Sequence, residues 1–85
     1  MDIQNKIAEL IGKERYTFDD LVDVVVVLRS EQGCPWDREQ THKSIRKDLI
    51  EETYEVIEAI DTEDPKLLRE ELGDVLLQVV FHAQM

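Results

Sequence analysis

Between Glu51 and Asp74 the chain reads EETYEVIEAIDTEDPKLLREELGD, two stretches of helical periodicity with only Asp61–Asp64 between them. Pro65 suits a first helical position, where its missing N–H costs nothing. A connection this short cannot carry the chain past a neighbouring element. It must turn the chain back on itself, so the two stretches are predicted to form an antiparallel helix hairpin. Its arms run from about Thr41 to Ile60 and from Pro65 onward.

Two further helices precede the hairpin. Asp2 to Ile11 sets Ile3, Ile7, Leu10 and Ile11 on one face, with Gly12 as C-cap. Phe18 to about Glu31 follows an N-cap at Thr17, with Asp19 and Asp20 in the first turn, where the helix dipole favours acids. Within that second helix VDVVVVL is compatible with a buried strand, because β-branched residues favour extended backbone. The helical spacing of Phe18, Leu21, Val22, Val25 and Leu28, with the good cap, decides for helix. GCPWD is expected as a loop, since Pro35 restrains Cys34 to extended geometry. The fold class is all-α: a helical bundle built on the hairpin, forming one domain over residues 1–85 with residues 1–12 as an added N-terminal helix. A chain of 85 residues buries only a modest core, so completion by oligomerisation is expected. The last helix is still apolar and periodic at VVFHAQM, which reads as truncation of a longer domain.

Composition narrows the function classes. Twenty acidic residues against ten basic ones give a net charge of -10, which repels nucleic-acid backbones and anionic membranes but suits divalent cations. Cys34 is the only cysteine, so no intramolecular disulfide can form. The longest apolar run, Val24–Leu28, is far too short to span a bilayer, and the N-terminus lacks a signal-peptide pattern. A soluble, cytoplasmic protein is expected.

The hairpin then sorts its acids. With the turn centred near Glu63, Glu55 and Glu71 are equidistant from it, and so are Glu52 and Asp74. The four carboxylates should form two levels about 4.5 Å apart, each helix presenting its pair on one face at i, i+3. Glu51 and Glu58 point further round, toward solvent. The second arm is apolar nearly all round after its first turn, which predicts burial, yet Glu71, Asp74, Gln78 and His82 make a polar stripe along it. Buried carboxylates are costly unless paired or metal-bound. Glu-x-x-His pairs for a di-iron centre are absent, as is a calcium-binding loop with its glycine turn. All-carboxylate ligation points to Mg²⁺, with Mn²⁺ as a substitute, and hence to phosphoryl or nucleotidyl transfer to water. Gln78 reads as an orienting partner for a carboxylate, and His82 as a core histidine with one hydrogen bond.

GCPWDREQTHKSI, then EETYEVIEAI, a short loop and LREELGDVLLQVVFHAQM, together resemble the MazG-type nucleoside triphosphate pyrophosphohydrolases over roughly Phe18 to Met85. The resemblance implies an all-α, Mg²⁺-dependent enzyme that cleaves nucleoside triphosphates to the monophosphate and pyrophosphate. It implies that Glu52, Glu55, Glu71 and Asp74 ligate the metal, and that the protein is a homodimer or higher oligomer.

Attack of water at the α-phosphorus calls for cations around the triphosphate. Arg38, Lys43, Arg46 and Lys47 lie before or within the early turns of the first hairpin arm; each is read equally well as an ordinary solvated charge. Trp36 either stacks on a nucleobase or plugs an end of the bundle. Glu51 is the candidate for positioning the water, and Cys34 reads as structural. The competing function is a non-catalytic acidic helical module, for dimerisation or regulation, that keeps the motif without turnover.

Overall fold

The computed structural model describes residues 1–85 and contains five helices and no strand: α1 (Ile3–Ile11), α2 (Phe18–Arg29), α3 (Pro35–Glu39), α4 (Arg46–Asp61) and α5 (Pro65–Gln84). The class is all-α. The chain divides into two compact units, Met1–Gln40 and Thr41–Ala83.

In the first unit α2 contacts both α1 and α3. The valine run is helical, and Val25 is fully buried. Thr17 caps α2 through a reciprocal box: its hydroxyl accepts from Asp20 N–H, and the Asp20 carboxylate accepts from Thr17 N–H. Asp20 also accepts a 2.6 Å bond from Lys13 Nζ, so the one buried acid of this unit has its charge matched. That bond, with the Thr17 backbone, holds the Asp20 carboxyl below its ordinary range. The helix stops at Arg29, two residues short of the expected Glu31, because Ser30 is already extended.

The segment expected as the GCPWD loop is instead partly helical. Cys34 is extended, as a residue before proline should be, but Pro35 then opens the short helix α3 at a first position that tolerates it. Arg29 braces this turn, donating to the carbonyls of Asp37 and Gln40. Gly33 has a specific reason to be glycine: a Cβ there would lie 2.1 Å from the Val27 carbonyl oxygen.

The second unit is the hairpin. Thr41 and Ser44 bond reciprocally, each hydroxyl accepting from the other's N–H, and shape a single turn. The regular helix begins only at Arg46, later than the expected Thr41, because Ile45 sits at ψ 8 and breaks the register. At the far end Glu63 N–H donates to Ile60 O and Asp64 N–H to Ala59 O, the double bond pattern of a Schellman turn. Glu63 occupies its left-handed position at φ 54. Asp64 then caps α5 by accepting from Leu67 N–H.

Burial departs from expectation here. Ile45, Ala59, Val80 and Phe81 are buried, but Ile50, Ile57 and Ile60 on α4 and Leu72, Leu76, Leu77 and Val79 on α5 are exposed. Two helices can cover only one face of each other, so an arm that is apolar all round keeps an open side. Ile50 and Ile57, with Leu49, Thr53 and Tyr54, line a shallow groove along α4. No helix is long and apolar enough to cross a membrane.

Candidate functional site

The Schellman turn fixes the register of the hairpin, and the register brings four acids together. Glu52 and Glu55 on α4 and Glu71 and Asp74 on α5 each offer an oxygen, all within 4.8 Å of one another. Glu55 and Glu71 lie equally far from Glu63, and Glu55 is the first cause of the raised Glu71 carboxyl. Glu51, Lys43 and Lys47 are exposed and stand outside this group.

Electrostatics shows the strain of the arrangement. Glu71 is pushed up to about 7, first by the adjacent Glu55 carboxyl, then by burial and by the charges of Glu55, Asp74 and Glu52. Glu52 is raised by burial, and after that by Glu55, Asp74 and Asp48. Four carboxylates this close cannot all ionise alone, so one retains a proton. Even then Glu52 Oε2 and Glu71 Oε2 are buried without a hydrogen-bond partner.

A hard divalent cation fits this donor set. The ligands are oxygen only, and opposite ligands of Mg²⁺ are separated by twice an Mg–O distance of about 2.1 Å, close to the spread observed. The orphaned oxygens of Glu52 and Glu71 would be the first to gain a partner.

The other candidate residues separate by unit. Trp36 is exposed on α3. Arg38 is engaged, donating through its guanidinium to the Glu31 carbonyl, and Cys34 is half-buried as the cap residue of α3. Gln78 Oε1 is buried without a hydrogen-bond partner. His82 does make a single side-chain bond, but to His42: their Nδ1 atoms are 2.9 Å apart. The sequence reading missed this pair. The available signal was positional, since His42 and His82 are nearly equidistant from Glu63.

Residues 40–85 match the family model described as the MazG nucleotide pyrophosphohydrolase domain. Among curated relatives, a Thermotoga maritima protein called nucleoside triphosphate pyrophosphohydrolase/pyrophosphatase MazG is 60% identical over 68 residues, covering 80% of this chain and 27% of that protein. An Escherichia coli K12 protein called nucleoside triphosphate pyrophosphohydrolase is 56% identical over 68 residues, 79% of this chain and 26% of its own length. The Bacillus subtilis protein YabN is 51% identical over 70 residues, 82% of this chain and 14% of that protein. The chain thus spans about a quarter or less of the length of these relatives.

Proposed function

The chain belongs to the MazG nucleotide pyrophosphohydrolase family, and from that premise we propose that it takes part in Mg²⁺-dependent hydrolysis of a nucleoside triphosphate to the monophosphate and pyrophosphate. The observation that carries the reading is the four-carboxylate cluster with two orphaned buried oxygens. Glu52, Glu55, Glu71 and Asp74 would hold the cation. When bound, Mg²⁺ (or Mn²⁺) offsets triphosphate charge and helps activate the attacking water.

The chain's own residues account for the rest. Glu51 is adjacent in sequence to the cluster and is assigned to positioning the water. A bond forms from the water oxygen to the α-phosphorus as the water gives up a proton to solvent, the bond from the α-phosphorus to the bridging oxygen breaks, and pyrophosphate leaves. Lys43 and Lys47, exposed and close before or within the start of α4, are assigned to the polyphosphate. Arg38 is assigned to the polyphosphate as well, after releasing the Glu31 carbonyl, and Trp36 to the nucleobase. The acting form is proposed to be a cytoplasmic homodimer or higher oligomer, supported by the exposed apolar faces of α4 and α5.

The test is a nucleoside triphosphate panel with Mg²⁺, scored for pyrophosphate against phosphate. Pyrophosphate release is expected, with Glu52→Ala and Asp74→Ala each abolishing it while far-UV circular dichroism stays helical. Normal turnover in both variants refutes the ligand assignment. Free phosphate as primary product contradicts attack at the α-phosphorus. Metal-dependent thermal stabilisation without turnover assigns the chain instead to a non-catalytic module.

A further inference from the structure

His42 and His82 lie outside the carboxylate cluster and have no part in the reaction proposed above. His42 is on the turn before α4 and His82 is near the end of α5, so the pair joins the two arms at the open end of the hairpin, opposite the Glu63 turn. The rings are nearly parallel, 10° apart, with centroids 5.2 Å apart and Nδ1 atoms at 2.9 Å. In an imidazole each nitrogen lies one ring radius from the ring centre. Adding that offset at both ends of the 2.9 Å bond nearly reproduces the centroid separation. The rings therefore meet edge to edge in line, rather than face over face.

A bond of this kind needs one proton between the two nitrogens. With none, two lone pairs face each other; with two, both N–H groups point at each other, and when both rings are cationic like charges add to the clash. The neutral pair can supply the proton from either side, and burial decides which. His82 Nε2 is buried and has no partner, whereas His42 is exposed. An orphaned buried N–H is rarer in folded proteins than an under-satisfied acceptor. His82 therefore keeps its hydrogen on Nδ1 and donates, and His42 accepts at Nδ1 while its Nε2–H faces water.

We propose that His42 and His82 form a proton-counted clasp on the open end of the hairpin, closed by a single proton between the Nδ1 atoms and opened when both rings are cationic. The charged groups near it in the unit do not substitute for that proton. On the turn the neighbour is Lys43, and in the first turn of α4 they are Arg46, Lys47 and Asp48. On α5 the nearest in sequence is Asp74, about two turns back. The bond recorded for each imidazole is to the other. The arms are hinged at Glu63, so opening acts first on the outer Glu52–Asp74 level and less on Glu55–Glu71.

The experiment is nitrogen-15 NMR of the imidazoles in the full 85-residue chain, titrated from about pH 8 to about pH 5, the span over which imidazoles change charge. At the upper end the two histidines should show opposite tautomers, with His82 protonated on Nδ1. His42→Phe should return His82 toward the Nε2-protonated form. Methyl signals of Ile45 and Val80 should shift as the second ring becomes charged. Like tautomers in the native chain, or an unchanged His82 tautomer in His42→Phe, overturn the pairing. Methyl signals that stay flat through the titration overturn the opening. A fold check by circular dichroism on His42→Phe, with His82→Phe read at His42 as the reciprocal variant, keeps both outcomes decisive if one variant unfolds.

Discussion

Glu71 carries the sharpest residue-level consequence. Its carboxyl is raised to about 7 from an ordinary 4.5, chiefly by Glu55. A carboxyl that binds its proton more tightly when folded stabilises the fold below its unfolded value, and that contribution is lost as pH rises through the folded one. The metal-free chain should therefore melt at a lower temperature near pH 8 than near pH 5.5, as far as this group governs. Mg²⁺ or Mn²⁺ competes with the proton, so the melting temperature it adds should be larger at the alkaline end. Thermal melts with and without metal read both effects, and Glu71→Gln should flatten the metal-free profile. A profile that is already flat in the native chain would show that no proton is held there. At this scale the sequence was informative about identity: position on the helix separated Glu52 and Glu55 from Glu51, and the structure brings the first two into the cluster and leaves the third outside. It was silent on partners that depend on rotamers, such as Lys13 with Asp20 or Arg38 with the Glu31 carbonyl.

At the scale of elements, capping and spacing carried most of the reading. Gly12, Thr17 and Pro65 stand where cap chemistry puts them, and the valine run is helical because its spacing and its cap outweigh β-branched preference. Two boundaries were not legible. Pro35 both keeps Cys34 extended and opens α3, and the sequence reading used only the first property. The turn at Thr41–Ser44 has helical patterning, but ψ at Ile45 separates it from α4. Glu63 is the residue whose local preference opposes its element, since a side chain at φ 54 costs about 1–2 kcal/mol. Glu63→Gly should thus stabilise the chain by up to about 1 kcal/mol, less than the full strain because glycine gives up more entropy on folding. Denaturant unfolding measures this directly. A loss of stability would mean that the Glu63 side chain makes a compensating interaction.

At the scale of the molecule, apolar surface and charge pull in different directions. A chain of net charge -10 resists non-specific association, yet it exposes Ile57 at 47% and Val79 at 54%, with Leu72 and Leu76 on the same face of α5 as Val79. The all-round apolar character of α5 was plain in the sequence. Which side stays open was not, because that depends on how many helices are available to cover it. Sedimentation should give a mass above that of one chain, and Ile57→Glu should shift it toward the monomer. A native chain that sediments as a monomer at all concentrations removes the support for self-association.

The Schellman turn at Thr62–Asp64 finally acts as a ruler. Each acid on α4 finds its opposite number on α5 only because both are counted from Glu63, so the spacing of the donors is stored in the length of a loop that touches none of them. One residue inserted within α5 between Pro65 and Glu71 would advance everything beyond it by about 1.5 Å and about 100° along the helix, turning Glu71 and Asp74 away from Glu52 and Glu55. Divalent-ion binding, followed by calorimetry, should then be lost from a chain whose four carboxylates are all intact and whose helical content is unchanged.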